Sequence, residues 1–130
     1  MLKTLLIIAA LTQTIVAEQL PEKFISALRK TETFGKPNSG VGAKGKNGEI
    51  GPLQITKACF KDSKVAGNYH NCNDLAFSIK VAEAYLNRYA KNAVLANDYQ
   101  TMARTWNGGP NYSVKKTNGY WSRFQTFLNN

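Results

Sequence analysis

The chain has 130 residues, a formal net charge of +9 and two cysteines, and this length favours a single domain with one core. The basic residues are scattered singly, without a dense Lys/Arg block or the glycine–aromatic pattern of an RNA-binding sheet, which argues against a nucleic-acid site. We therefore expect the charge to act as a long-range field that attracts anionic polymers or surfaces.

The first 17 residues have the three regions of an export signal. Lys3 supplies the positive start, and the apolar run "LLIIAALTQTIVA" ends at Ala17, too short for a transmembrane helix. The sequence thus predicts a signal peptide over residues 1–17, cleaved near Ala17, and one domain over residues 18–130 that is secreted or periplasmic. The alternative is a buried N-terminal helix or a membrane anchor.

The first element after this segment is a helix over "LPEKFISALRKTE". Its apolar residues recur at helical spacing on one face, and the following Gly35 and Pro37 end it. Glu32 therefore lies in the last turn of a mostly buried helix.

The next stretch, residues 37–55, contains five glycines and two prolines. This composition excludes a helix and predicts a turn-rich loop or a small β-hairpin around "GKNG". Beside a carboxylate at a helix end, such a segment is expected to form one wall of a cleft.

The second half of the chain is predicted to be helical. Thr56 caps a short helix, and Asn73 caps the longest one, which continues to Leu95. Asp98 opens another helix that ends at "NGGP", and "GYWSRFQTFL" forms the last. The fold class is therefore mainly α, with one small glycine-rich β excursion. The apolar stripe that predicts the longest helix consists of Leu75, Ile79, Ala82, Leu86, Tyr89 and Ala93.

Glu32 is the acidic residue whose position is not explained by solvation, helix capping or the helix dipole. The other helix-associated acids are explained by solvation, capping or the helix dipole. At the C-terminal end of a helix the dipole disfavours negative charge, which raises the pKa of a carboxyl group and suits it to act as a general acid. The alternative is an exposed glutamate at a helix end.

The sequence offers fewer suitable residues for other classes of reaction. His70 is the only histidine, no serine lies in a nucleophile-elbow context, and there is no phosphate-binding or dinucleotide motif. No cluster of metal ligands is evident, so we expect neither metal nor cofactor. Carboxylate chemistry remains, and glycoside cleavage is its commonest form. Aromatic side chains that could stack on sugar rings, or simply pack in the core, are Trp106, Tyr112, Tyr120 and Trp121.

Cys59 and Cys72 are the only cysteines. In an exported chain an even pair predicts a disulfide, which would contribute about 3 kcal/mol by closing a short loop. Two separate free thiols are the alternative.

Four stretches, in this order, resemble motifs of the lysozyme-like superfamily. They are "ALRKTETFGKPN", "EIGPLQI", "MARTWNGGPN" and "TNGYW", and the resemblance covers about residues 21 to 127. It is strongest to lytic transglycosylases of the soluble-lytic (SLT) type, alongside phage-type and invertebrate-type lysozymes. It implies a lysozyme-like fold and cleavage of the β-1,4 bond between N-acetylmuramic acid and N-acetylglucosamine in peptidoglycan.

The resemblance also implies site residues. Glu32 takes the position of the catalytic acid/base. Glu49 is a less favoured candidate for a second catalytic carboxylate. Invertebrate-type lysozymes carry an aspartate about a dozen residues after the glutamate, but "GVGAKGKNG" here contains no acid. A single glutamate, as in the transglycosylases, is therefore expected to suffice. The expected substrate-binding residues are Thr33, which stands where the family usually has serine, and Gln54, Trp106, Asn107, Gly108 and Tyr120.

Two other functions stay open at this point. The missing second acid and the threonine at position 33 also fit a binding module that holds a glycan or a protein without cutting it. A cationic membrane-active protein is less well supported, because its one strongly amphipathic helix has few positive charges on the polar face. The expected partner is the peptidoglycan strand, with no nucleic acid, no stable membrane insertion and a monomeric state.

Overall fold

A computed structural model describes residues 9–10 and 17–130 of the chain. These residues form a mainly helical domain, as predicted, with only isolated β-bridges in its first half. The helices are α1 (Glu22–Thr33), α2 (Lys57–Ser63), α3 (Leu75–Tyr89), α4 (Lys91–Ala96), α5 (Tyr99–Gly108) and α6 (Val114–Leu128). Two short 3-10 segments, Pro37–Gly40 and Tyr69–Asn73, connect them.

The predicted signal peptide falls mostly on residues 1–8 and 11–16, which lie outside the described part of the chain. It stays a prediction, as does its cleavage. In the ranges that the structure describes, no helix combines the length and the apolar character needed to cross a bilayer.

Helix α1 ends where the sequence predicts, and its apolar face enters the centre of the core. Phe24 and Leu28 are fully buried. The ring of Phe24 packs against that of Phe124 on α6, with 5.1 Å between their centroids. Because α1 packs along α6, the last turn of α1 is held at a fixed position beside α6.

The prediction for the longest helix is wrong at both ends. Asp74 caps α3, because its carboxylate accepts a 2.9 Å hydrogen bond from the Phe77 amide, whereas Asn73 belongs to the preceding 3-10 segment. At the other end the backbone leaves helical geometry at Ala90 (φ −142°, ψ 37°), so that Ala93 belongs to α4. The apolar stripe is therefore divided between two helices.

Helix α6 begins earlier than predicted, at Val114, because Ser113 caps it. The Ser113 hydroxyl accepts a 3.2 Å hydrogen bond from the Lys116 amide. As a result Gly119, expected at the start of the helix, lies in its interior.

Substituting Gly119 with alanine is expected to raise the free energy of unfolding by about 0.5–1 kcal/mol. Gly119 is exposed, and a Cβ built on it meets no atom within 4 Å, so the gain in helix propensity carries no steric cost. Urea unfolding of the two proteins measures the difference. An unchanged or lowered midpoint would show that the glycine serves another purpose in α6.

Candidate active site

Glu32 lies on the wall of a small cavity where α1, α5 and the glycine-rich segment meet. The cavity has a volume of about 170 Å³. It brings together two carboxylates, two amides, a tryptophan and a thiol. Its lining residues are Glu32, Glu49, Gln54, Ile55, Thr56, Cys59, Trp106 and Asn107.

Tyr120 of α6 fixes the orientation of the Glu32 carboxyl group. The tyrosine is 5% exposed, and its hydroxyl donates a 2.8 Å hydrogen bond to Oε1 of Glu32. Burial raises the pKa of Tyr120 well above its usual range, so the phenol remains a neutral donor. One carboxyl oxygen of Glu32 is thereby held in a fixed position.

The surroundings of Glu32 raise its pKa from the ordinary value of 4.5 to about 7. Burial of the carboxyl group is the main cause. Hydrogen bonding by Tyr120 and Trp106 and the positive charge of Arg123 act in the opposite direction, while the negative charge of Glu49 adds to the increase. Glu32 therefore holds a proton through mildly acidic pH and can still release it near neutrality, as a general acid requires.

The raised pKa predicts a specific dependence of stability on pH. Between about pH 4.5 and 7 the folded chain binds the Glu32 proton more tightly than the unfolded chain does, so this group lowers the free energy of unfolding as pH rises through that window. Glu32→Gln removes the effect. We expect the variant to match the wild type at pH 4 and to exceed it by about 1–3 kcal/mol at pH 8, the remaining exposure of the side chain keeping the gain modest. Urea unfolding at both pH values measures this, and a constant difference would contradict the assigned cause.

The glycine-rich segment forms the opposite wall, as predicted, although its β-structure is limited to the bridges Lys44–Ile50 and Ile50–Ile55. Glu49 is held there because its Oε2 accepts a 3.0 Å hydrogen bond from the Asn47 amide. Gln54 adopts a left-handed backbone (φ 49°), and its side-chain amide donates to the Gly51 carbonyl at 2.9 Å. Both side chains are therefore positioned by the loop's own backbone.

Tyr69 supports this wall from behind, a role that the sequence did not suggest. Its hydroxyl lies 2.6 Å from the Ile55 carbonyl oxygen and 3.0 Å from that of Gly48, and can donate to either. A tyrosine in "NYHNC" resembles any other partly buried aromatic residue, so no local pattern could have revealed the contact.

Arg104 joins the two helices that carry the other wall. It is 5% exposed and donates from Nη1 to the Val114 carbonyl at 2.9 Å and to Thr117 Oγ1 at 2.8 Å. Nη2 donates to Asn118 Oδ1 at 2.9 Å. This fixes α5, with Trp106 and Asn107, relative to α6, with Tyr120. A buried arginine with only neutral partners has no recognisable sequence motif.

Three of the predicted substrate-binding residues do not line the cavity, namely Thr33, Gly108 and Tyr120. Tyr120 instead holds the Glu32 carboxyl group through its hydrogen bond. Thr33 is buried, its hydroxyl donates to the Arg29 carbonyl at 2.7 Å, and its methyl group packs against Gly40. It borders a separate groove of about 480 Å³ along the other side of α1. Gly108 lies where a Cβ would come within 2.7 Å of Tyr112 and 2.9 Å of Thr117, so it allows close packing of α5 on α6. Thr33 and Gly108 have structural roles here.

The predicted disulfide is not present, since Cys59 and Cys72 are both free thiols. Burial raises the pKa of Cys59 to about 12 and that of Cys72 to about 11. Both therefore stay protonated, which makes them weak nucleophiles and poor metal ligands. Among the described residues no group of three or more His, Cys, Asp or Glu side chains could hold a metal ion.

The chain is similar in sequence and in structure to several lysozymes. Lysozyme 1 of Crassostrea virginica is 36% identical over 78 residues, which cover 58% of this chain but only 42% of that protein. The lysozyme of Ostrea edulis is 24% identical over 120 residues, covering 90% of this chain and 88% of its own. The crystal structure of Tapes japonica lysozyme superposes with a TM-score of 0.67 and 26% identity, over 82% of this chain and 89% of that one. No protein-family model matches the chain.

Proposed function

We propose that this chain, which is related to the lysozyme-like superfamily by sequence and fold, is a secreted enzyme that cleaves the β-1,4 bond between N-acetylmuramic acid and N-acetylglucosamine in peptidoglycan. The single observation that carries the proposal is the Glu32 carboxyl group, hydrogen-bonded by Tyr120 on a cavity wall, with its pKa raised to about 7. The relatives are named lysozymes, which adds support. The positive net charge suits an anionic wall polymer.

In the proposed reaction Glu32 first acts as an acid. Its carboxyl group gives a proton to the glycosidic oxygen, so the bond to the anomeric carbon of N-acetylmuramic acid breaks and the leaving sugar departs with a neutral hydroxyl. The resulting Glu32 carboxylate then takes a proton from the attacking nucleophile, which restores the starting state. Gln54, Trp106 and Asn107 line the same cavity and would position the sugar and its N-acetyl group.

The nucleophile decides the product. Attack by water gives a reducing muramic acid, as in hydrolysis, and attack by the C6 hydroxyl of the same muramic acid gives an anhydro sugar. The names of the relatives favour water. Glu49 would assist either reaction, because a second carboxylate on the cavity wall can stabilise the positive charge that develops at the anomeric carbon before the nucleophile attacks.

Glu49→Gln is expected to lower kcat by about tenfold with little change in KM, since the loss of one nearby negative charge would cost about 1.4 kcal/mol in the transition state. Steady-state rates on soluble peptidoglycan fragments give both constants. Lys46→Gln, at an exposed position on the same segment, is the control for a charge change outside the cavity. An unaltered kcat for the Glu49 variant would mean that Glu32 works without a second carboxylate.

The decisive experiment is digestion of purified peptidoglycan followed by mass analysis of the released muropeptides. Hydrolytic products are heavier by one water than anhydro products, so the masses separate the two reactions. We expect hydrolytic products. Anhydro products would move the chain to the lytic transglycosylases, and the absence of any fragment between pH 4 and 8 would favour a glycan-binding module without catalysis.

A further inference from the structure

A second groove adjoins the cavity through Glu32. It has a volume of about 570 Å³ and lies between the end of α1 and the last two turns of α6. Its lining includes Thr31, Glu32, Phe34, Arg123, Thr126 and Phe127. None of these residues other than Glu32 lines the cavity described above, so Glu32 stands at the junction of two separate recesses.

The size of the first cavity makes the groove relevant to a polymeric substrate. Sites that enclose a small organic molecule usually have volumes of about 300–1,000 Å³. The cavity has only about 170 Å³, too little for the two sugars that flank a cleaved bond. A strand whose scissile bond lies at Glu32 must therefore extend beyond the cavity, and the groove offers a surface that begins at the same residue.

Two phenylalanines give the groove an uncovered aromatic surface. Phe34 is 78% exposed, although it directly follows the last turn of α1, and it packs against Phe127 with 5.3 Å between ring centroids. The apolar surface of such an exposed phenylalanine remains in contact with water unless a ligand covers it. A ring of this size matches the apolar face of a hexopyranose.

Arg123 adds a positive charge to the same groove. Its guanidinium group lies over the Tyr120 ring, 5.7 Å from the centroid, while the side chain remains exposed. Its charge also reaches Glu32, whose pKa it lowers. A guanidinium group pairs well with a carboxylate, and the N-acetylmuramic acid of peptidoglycan carries carboxylates on its lactyl group or on the attached peptide.

We propose that this groove is a substrate subsite in which the Phe34–Phe127 pair stacks on a sugar ring of the strand and Arg123 binds a carboxylate of the muramyl substituent. This inference rests on the proposed function for its choice of ligand. The subsite selects muramyl-containing strands over neutral polymers of N-acetylglucosamine, because only the former present a carboxylate to Arg123.

Binding is best measured in the Glu32→Gln background, which prevents turnover and removes the influence of Arg123 on the Glu32 proton. Isothermal titration calorimetry would use three tetrasaccharides: a muramyl glycan with its peptides, the same glycan without peptides, and an N-acetylglucosamine oligomer. We expect Phe34→Ala to weaken binding of all three by about 3–10-fold, the range measured for aromatic contacts. Arg123→Gln should weaken binding of the muramyl ligands by about 2–5-fold and leave the neutral oligomer unchanged.

Matched controls lie outside the groove. Lys115→Gln makes the same charge change on α6, and Leu95→Ala removes another exposed apolar side chain, 58% exposed. Neither should alter binding by more than about 1.5-fold. Circular dichroism and the urea midpoint check that each variant folds.

The pattern of losses identifies the carboxylate and can overturn the proposal. The lactyl carboxylate is free only in the glycan without peptides, because the peptide is attached through it as an amide. A loss confined to the peptide-bearing ligand therefore assigns the Arg123 partner to a peptide carboxylate, a loss confined to the peptide-free ligand assigns it to the lactyl group, and a loss with both means that Arg123 accepts either carboxylate. Unchanged binding for Phe34→Ala, or an equal effect of Arg123→Gln on all three ligands, would refute the subsite. If the wild-type chain releases no fragments from peptidoglycan, the proposed enzymatic function fails, while the binding data still decide whether the groove holds a glycan.

Discussion

Replacing Glu32 with glutamine is expected to lower the rate of peptidoglycan cleavage by about 10²–10⁴-fold, the usual contribution of a positioned acid–base group. Glutamine preserves the shape of the side chain and still accepts the hydrogen bond from Tyr120, but it has no proton to give. The loss should therefore appear in kcat, while binding of the glycan in the cleft is largely retained.

Glu22→Gln is a suitable control, since Glu22 is an exposed glutamate in the first turn of the same helix. Its activity should stay within about twofold of the wild type. The wild-type rate should also fall as pH rises above about 7, where Glu32 loses its proton. Turbidity loss of a peptidoglycan suspension between pH 4 and 9 provides both measurements. Near-normal clearing by the Glu32 variant would refute its role as the acid.

Replacing Gly51 with alanine is expected to be the most destabilising single substitution in the glycine-rich wall, at about 3–5 kcal/mol. Gly51 has φ +79°, and a Cβ at this position would collide with the carbonyl oxygen of Cys72. That oxygen is part of the backbone and also accepts a 2.8 Å hydrogen bond from the Ser78 hydroxyl, so it cannot move aside freely.

Gly48→Ala separates the collision from the backbone strain. Gly48 has a similar φ of +87°, but a Cβ at this position would meet no atom within 4 Å. The expected cost is only about 1 kcal/mol, from strain alone. Urea unfolding of both variants gives the comparison. Similar losses of stability for the two would show that Gly51 is needed only for its dihedral angles.

Local chemistry in the sequence was sufficient to predict α1, the caps at Thr56 and Asp98, and the mainly helical class. Each of these features depends on residues close together in the chain, so a pattern of a few positions is enough to predict it. The end of α3 at Ala90 was missed because alanine does not mark a boundary, whereas the start of α6 was missed although its cap, Ser113, is a local signal.

In the site, too, some features could be predicted from neighbouring residues and others could not. Glu32 could be predicted from its place at a helix end, and Gln54 and Asn107 from their motifs, and the structure brings all three to one cavity. The hydrogen bond from Tyr120 joins residues 88 positions apart, and burial of the carboxyl group depends on the packing of several helices. No short sequence window contains that information. Thr33 also matches a motif but does not line the cavity, since a motif match does not reveal the direction of a side chain.

The two walls of the cleft owe their positions to different parts of the molecule. The proton donor is fixed by the packing of α1 on α6, which involves the centre of the core, whereas Glu49 and Gln54 are fixed by turns within one surface segment and by Tyr69. Substitutions or small insertions between residues 41 and 48 can therefore change what the cleft accepts without displacing the acid. In evolutionary terms, ligand preference can change in this chain while the position of the proton donor is kept, since each has its own structural support.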